Sequence, residues 1–155
     1  MQNLKDIPCL ILGIGNILWA DEGFGVRVVE AFNDKYAFTD PNNVIADGGT
    51  LGMYLYDRIC RAEKLLIFDC CDFKGKPGEL RVLRNDDVKL WTATKISPHQ
   101  TGMNDLLVAA AVRGAMPNDI AVVGFQPVLL DDYGGSLSAE AKGKVCLLYT
   151  SPSPR

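Results

Sequence analysis

Four short apolar runs constrain this chain more than any other feature. They are Cys9-Leu-Ile-Leu-Gly13, Val44-Ile-Ala46, the segment from Lys64 to Asp69, and Ile120 to Phe125. Each has the length of a strand, and none alternates polar with apolar residues. A strand without that alternation must be covered on both faces. The first three close on Gly13, Asp47 and Asp69, where the chain has to turn. Between the runs the spacing changes. From Gly23, apolar Val26, Val29, Ala31 and Phe32 mix with Arg27, Glu30 and Asp34 as on a helix. Met53 to Arg61 reads as a short helix, and Asp105 to Ala115 as an alanine-rich one stopped near Pro117. Ser97-Pro98-His99-Gln100 reads as a loop. After the turn Gly75-Lys-Pro-Gly78, Glu79 to Arg84 alternates like a half-exposed edge strand. Such alternation of strands and helices requires a mostly parallel sheet with right-handed crossovers. The expected fold is α/β: a single three-layer domain, a twisted, mostly parallel sheet flanked by helices, with one antiparallel edge strand.

A chain of 155 residues, 48% apolar and 23% charged, buries one core without disulfide staples. Its net charge of −3 and lack of any Lys/Arg cluster speak against a nucleic-acid partner. The five cysteines, Cys9, Cys60, Cys70, Cys71 and Cys146, are odd in number and lack C-x-x-C spacing. They read as reduced thiols of a cytoplasmic protein. Met1 to Pro8 holds no signal-peptide core, and the apolar runs are too short for membrane insertion. Ser136 to Lys144 begins like a helix, with Ser138 as its N-cap. Pro152 and Pro154 forbid its continuation. The expectation is a domain over 1–144 with a truncated last helix, and a non-native tail over 145–155.

Chemistry has few candidates. In Gly13-Ile-Gly15-Asn16-Ile-Leu18-Trp-Ala-Asp21-Glu22-Gly23-Phe-Gly25, the glycines suit a strand-to-helix turn. A dinucleotide fingerprint would need a glycine where Leu18 stands. Asp21 and Glu22 would also repel a pyrophosphate, so no nucleotide is expected. Both acids would oppose a helix dipole favourably, by about 0.3–1 kcal/mol each. Asp69 closes a central strand, where an open α/β sheet has its crevice, and is expected to be exposed to it. Asp72 reads as a solvated loop residue. His99 is the single histidine. If the three connections emerge at one edge, Glu22, Asp69 and His99 converge. One imidazole with two carboxylates suits a divalent transition ion or general acid–base work. No G-x-S-x-G or H-E-x-x-H frame exists. Cys70 and Cys71 lie beside an acid that raises thiol pKa, and read as packing.

These residues resemble the hydrogenase maturation proteases. The resemblance runs through Gly13 to Arg27, Asp47-Gly48-Gly49-Thr50, the strand ending at Asp69, and Ile96-Ser-Pro-His99-Gln100. The stretch Gln126-Pro-Val-Leu-Leu-Asp-Asp-Tyr-Gly-Gly-Ser136 is similar to the branch that serves membrane-bound uptake hydrogenases. The resemblance implies that Glu22, Asp69 and His99 hold a metal and act catalytically. It implies that Asp47, Gly48, Gly49 and Thr50 contact substrate, and that Asp69, Asp47 or a metal-polarised water assists the attack. The substrate would be a nickel–iron hydrogenase large-subunit precursor, shortened at its C-terminus after it has received nickel. The precursor would supply that nickel. A non-catalytic chaperone binding nickel or precursor on the same fold is the alternative.

Overall fold

A computed structural model describes residues 4–48, 52–88 and 98–150; the side chains of 52, 53, 98–102, 104, 149 and 150 lie outside that description. Five strands form one sheet: β1 (Ile7–Gly13), β2 (Val44–Asp47), β3 (Ala62–Cys70), β4 (Leu80–Arg84) and β5 (Asp119–Phe125). Their order is β2-β1-β3-β5-β4. The first four in that order run parallel, and β4 pairs antiparallel with β5 at the edge. The helices are α1 (Phe24–Lys35), α2 (Gly52–Arg61), α3 (Pro98–Val112) and α4 (Ala139–Thr150).

The unalternating runs fill two cores, as their pattern requires. Leu10, Leu12, Leu65, Ile67, Ile120 and Val122 point to the face covered by α2 and α3. Ile11, Phe68, Val123 and Phe125 point to the face covered by α1 and α4. On that second face the rings of Phe24 and Phe125 stack at 4.7 Å. Successive side chains of each central strand thus serve opposite layers.

Two boundaries differ from the sequence reading. Of the loop expected at 97–100, residues 98–100 are instead the first turn of α3, which starts at Pro98 rather than near Asp105, and Ser97 lies outside the described residues. Proline suits that position, because its φ is already helical and the amide it lacks would have no partner there. The last helix does not break at Lys144 but runs on to Thr150. Ala141 and Val145 are buried and Leu148 packs beside them, a spacing of four then three that forms one stripe facing α1.

The chain leaves β1 for β2 on one side and reaches β3 on the other. This reversal of winding opens a crevice at the carboxyl ends of β1 and β3. Those ends are held together, as Ile14 N donates to Phe68 O at 2.9 Å. The first turn of α1 then descends directly onto them. A Cβ on Gly25 would overlap the carbonyl oxygens of Phe68 and Ile14, so only glycine permits this approach.

Candidate active site at the sheet switch point

Glu22 is carried by a tight 3-10 turn, Ala20–Gly23, between β1 and α1. The loop before it is wound around Asn16, whose Oδ1 accepts Leu18 N at 2.9 Å and whose backbone oxygen accepts Trp19 N at 3.2 Å. Glu22 N donates to Trp19 O at 2.9 Å, and Glu22 O accepts Asn16 N at 3.2 Å. Gly15, at φ +139°, allows this closure, since a Cβ there would overlap Glu22 O. The backbone of Glu22 is therefore fixed, yet its buried Oε1 has no hydrogen-bond partner among the described residues.

Asp69 is the penultimate residue of β3, and the turn bearing Glu22 packs on that strand. Contrary to the expected exposure, Asp69 is fully buried. The end of β3 lies beneath α1 and between β1 and β5, so the crevice opens beyond it. Its Oδ1 accepts Cys70 N at 2.8 Å and its Oδ2 the Cys71 thiol at 3.4 Å. His99 lies in the first turn of α3, but its side chain is outside the described residues. The structure thus brings Glu22 and Asp69 to one edge. Among the described residues no group of three His, Cys, Asp or Glu forms a metal site.

Asp47 ends β2 and is exposed, and Gly48 N donates to Gly13 O at 2.8 Å, which ties that end to β1. Gly49 and Thr50 lie outside the described residues. Cys70 and Cys71 are buried. Burial pushes the Cys70 thiol well above its usual range, with Asp69, Asp21 and Glu22 adding to the shift. It is no nucleophile at neutral pH. Asp72 is only partly exposed; its Oδ1 accepts Lys74 N and Gln126 Nε2.

Two residues organise the site without having been singled out for it. Asp21 is fully buried and accepts four hydrogen bonds: Val128 N and Leu129 N at 2.9 Å each, Ser138 N at 2.7 Å and Ser138 Oγ at 2.9 Å. Its charge therefore lies at the N-terminus of α4, where Ser138 caps Ala141 N at 3.2 Å, and not where a local reading of α1 places it. Gln126, also buried, accepts Phe73 N at 2.7 Å and Gly75 N at 3.3 Å. It fixes the loop that follows Asp69.

A family model for hydrogenase maturation proteases matches residues 26–151. The chain belongs to the hydrogenase maturation protease family. It is 47% identical over 137 residues to the hydrogenase expression/formation protein HupM of Azotobacter chroococcum, covering 88% of this chain and 65% of that one. Identity to the protein HupD of Bradyrhizobium diazoefficiens is 45% over 142 residues, covering 91% and 73%. The chain therefore spans about two thirds of the length of these curated relatives. The structure of the hydrogenase maturating endopeptidase HybD from Escherichia coli superposes with a TM-score of 0.82 at 33% identity, covering 94% of each chain. That likeness is one of overall fold, which in the described residues of this chain is a sheet with one antiparallel strand and four flanking helices. No described helix of this family member is long and apolar enough to cross a membrane.

Proposed function

We propose that this chain is a cytoplasmic endopeptidase that removes the C-terminal peptide from the nickel-loaded precursor of a nickel–iron hydrogenase large subunit. The observation that carries this reading is Glu22 Oε1, a buried carboxylate oxygen left without a partner among the described residues at the switch-point crevice of a hydrogenase maturation protease. An acceptor of this kind is costly unless a cation or donor completes it. Glu22 and Asp69, with His99 from the start of α3, are the donor set for the nickel that the precursor brings. Two carboxylates and one imidazole suit a divalent transition ion. Bound there, the ion would fix the scissile peptide against the sheet edge and polarise its carbonyl or a water.

The two aspartates proposed as base differ in setting. Asp69 is enclosed, with Cys70 N and the Cys71 thiol on its oxygens, which suits holding a ligand. Asp47 is exposed at the end of β2, where water reaches it. A base must reach water, so Asp47 is the better placed proton acceptor. The segment Asp47-Gly48-Gly49-Thr50 is assigned to the substrate peptide.

The test incubates the protein with nickel-loaded and nickel-free precursor and weighs the products by mass spectrometry. One discrete C-terminal loss is expected, only with nickel, and none with Glu22→Gln, Asp69→Asn or His99→Ala. If the folded protein binds precursor but leaves its mass unchanged, the protease reading fails and a chaperone role replaces it.

A further inference from the structure

Beside the site, two joined loops present six apolar side chains to solvent. Ile17, Leu18 and Trp19 precede the turn bearing Glu22, while Val128, Leu129 and Tyr133 lie between β5 and α4. All six are between 38% and 67% exposed, whereas the other exposed large apolar residues among the described ones are dispersed over the helices, the C-cap of α1, β4 and the N-terminal segment. The loops are stitched together: Gly134 N donates to Leu18 O at 2.7 Å and Asp21 N to Leu129 O at 3.0 Å. Trp19 bridges to Tyr133, their rings 5.0 Å apart and edge-on. The buried carboxylate of Asp21 takes Val128 N and Leu129 N from below.

An apolar face held rigid in water marks a contact surface, and its rigidity lowers the ordering cost of binding. Tryptophan and tyrosine are the side chains that most often dominate such contacts. The charged residues within the two loops have one sign. Asp131 and Asp132 are exposed in the second loop, Glu22 ends the first, and no Lys or Arg occurs in either 16–23 or 126–138. A matching partner segment carries apolar side chains flanked by cations.

Resting on the protease reading above, we propose that this platform docks an apolar segment of the large-subunit precursor, flanked by Lys or Arg, next to the scissile bond. Substrate choice would then come from the platform, and hydrolysis from the carboxylates behind it.

Steady-state cleavage of nickel-loaded precursor tests this with two double variants, Trp19→Ser with Tyr133→Ser, and Asp131→Lys with Asp132→Lys. Each should raise KM at least about tenfold with little change in kcat. Added salt should raise the wild-type KM but not that of the charge-reversed variant. Val82→Ser, equally exposed on β4, serves as the control that leaves both constants unchanged. Variants that melt like wild type yet keep its KM would overturn the docking surface and leave the protease reading standing. If wild type does not cleave, the protease reading fails, and affinity for the precursor decides alone. Loss of binding in the variants then upholds the platform, and equal or absent binding overturns it. A wild-type dimer that the variants convert to monomers without a change in KM would assign the face to a second copy and overturn the proposal.

Discussion

Replacing Asp21 by asparagine keeps the side chain's shape and removes its charge. In the native protein both carboxylate oxygens are used, Oδ1 by Ser138 N and Oδ2 by Val128 N, Leu129 N and Ser138 Oγ. An amide offers one acceptor oxygen. Whichever way it turns, its NH₂ group faces at least one backbone donor with no acceptor between them. Hydrogen bonds to a charged group contribute about 1.5–3 kcal/mol each, but these four share one centre and do not add. Breaking a buried, hydrogen-bonded charge typically costs about 3–5 kcal/mol. We therefore expect a loss of roughly 4 kcal/mol, which for a domain of this size lowers Tm by roughly 10–15 °C. Thermal and urea denaturation followed by circular dichroism measure it. Hydrogen exchange locates it, because the amides of Val128, Leu129 and Ser138 should lose protection before those of β1 and β3. Asp131→Asn, on the exposed part of the same loop, should leave Tm essentially unchanged. A Tm for Asp21→Asn within about 3 °C of wild type would refute the role given to this carboxylate.

Other consequences can be checked with the same assays. Gly25→Ala should cost about 3 kcal/mol or more and sharply reduce soluble yield, because the new Cβ meets backbone oxygens that cannot move aside. Gly143→Ala should do the reverse. Its Cβ meets nothing within 4 Å inside α4, so Tm should rise by about 1–4 °C. The raised Cys70 thiol gives a pH dependence with a definite sign. The folded state keeps its proton while the unfolded chain loses it above the ordinary value of 9.0, so this stabilisation is present below pH 9 and declines above it. Urea midpoints measured at increasing alkaline pH should therefore fall less steeply in Cys70→Ala. An unchanged slope would sink the assignment. At pH 8 a thiol reagent should modify exposed Cys146 long before buried Cys70.

Much of this architecture was legible in the sequence because the signals were local. Runs such as Leu65 to Phe68 leave a strand no choice but burial on two faces, and Ser138 caps the helix that follows it, as a serine at that position should. In sequence alone Pro98 fits a loop as well as a helix start, and only the packing of Met103, Leu106 and Leu107 distinguishes the two. The burial of Asp69 depends on α1 folding back over the strand end, which no pattern around position 69 encodes. Asp21 was the least legible residue. Its partners lie 107 to 117 positions away, and three of the four donors are backbone amides, which leave no trace in side-chain identity.

The remaining question about Glu22 is why the fold retains it. Its Oε1 is buried and unpartnered among the described residues, and with Asp21 and Asp69 the side chain adds to the upward shift of the Cys70 thiol. Negative charge is thus concentrated where solvent compensates it poorly, a cost of about 1–3 kcal/mol for one unmet buried acceptor. Glu22→Gln removes the charge and keeps the size. In the metal-free protein it should stabilise the fold, by about 1 kcal/mol or roughly 2–4 °C in Tm. In nickel-dependent cleavage the same change should abolish product. Gain of stability with loss of activity is the mark of a residue kept for its ligand rather than for the fold. If the variant instead melts below wild type, Glu22 supports the structure through a contact of its own, and its unpaired oxygen no longer argues for a bound cation.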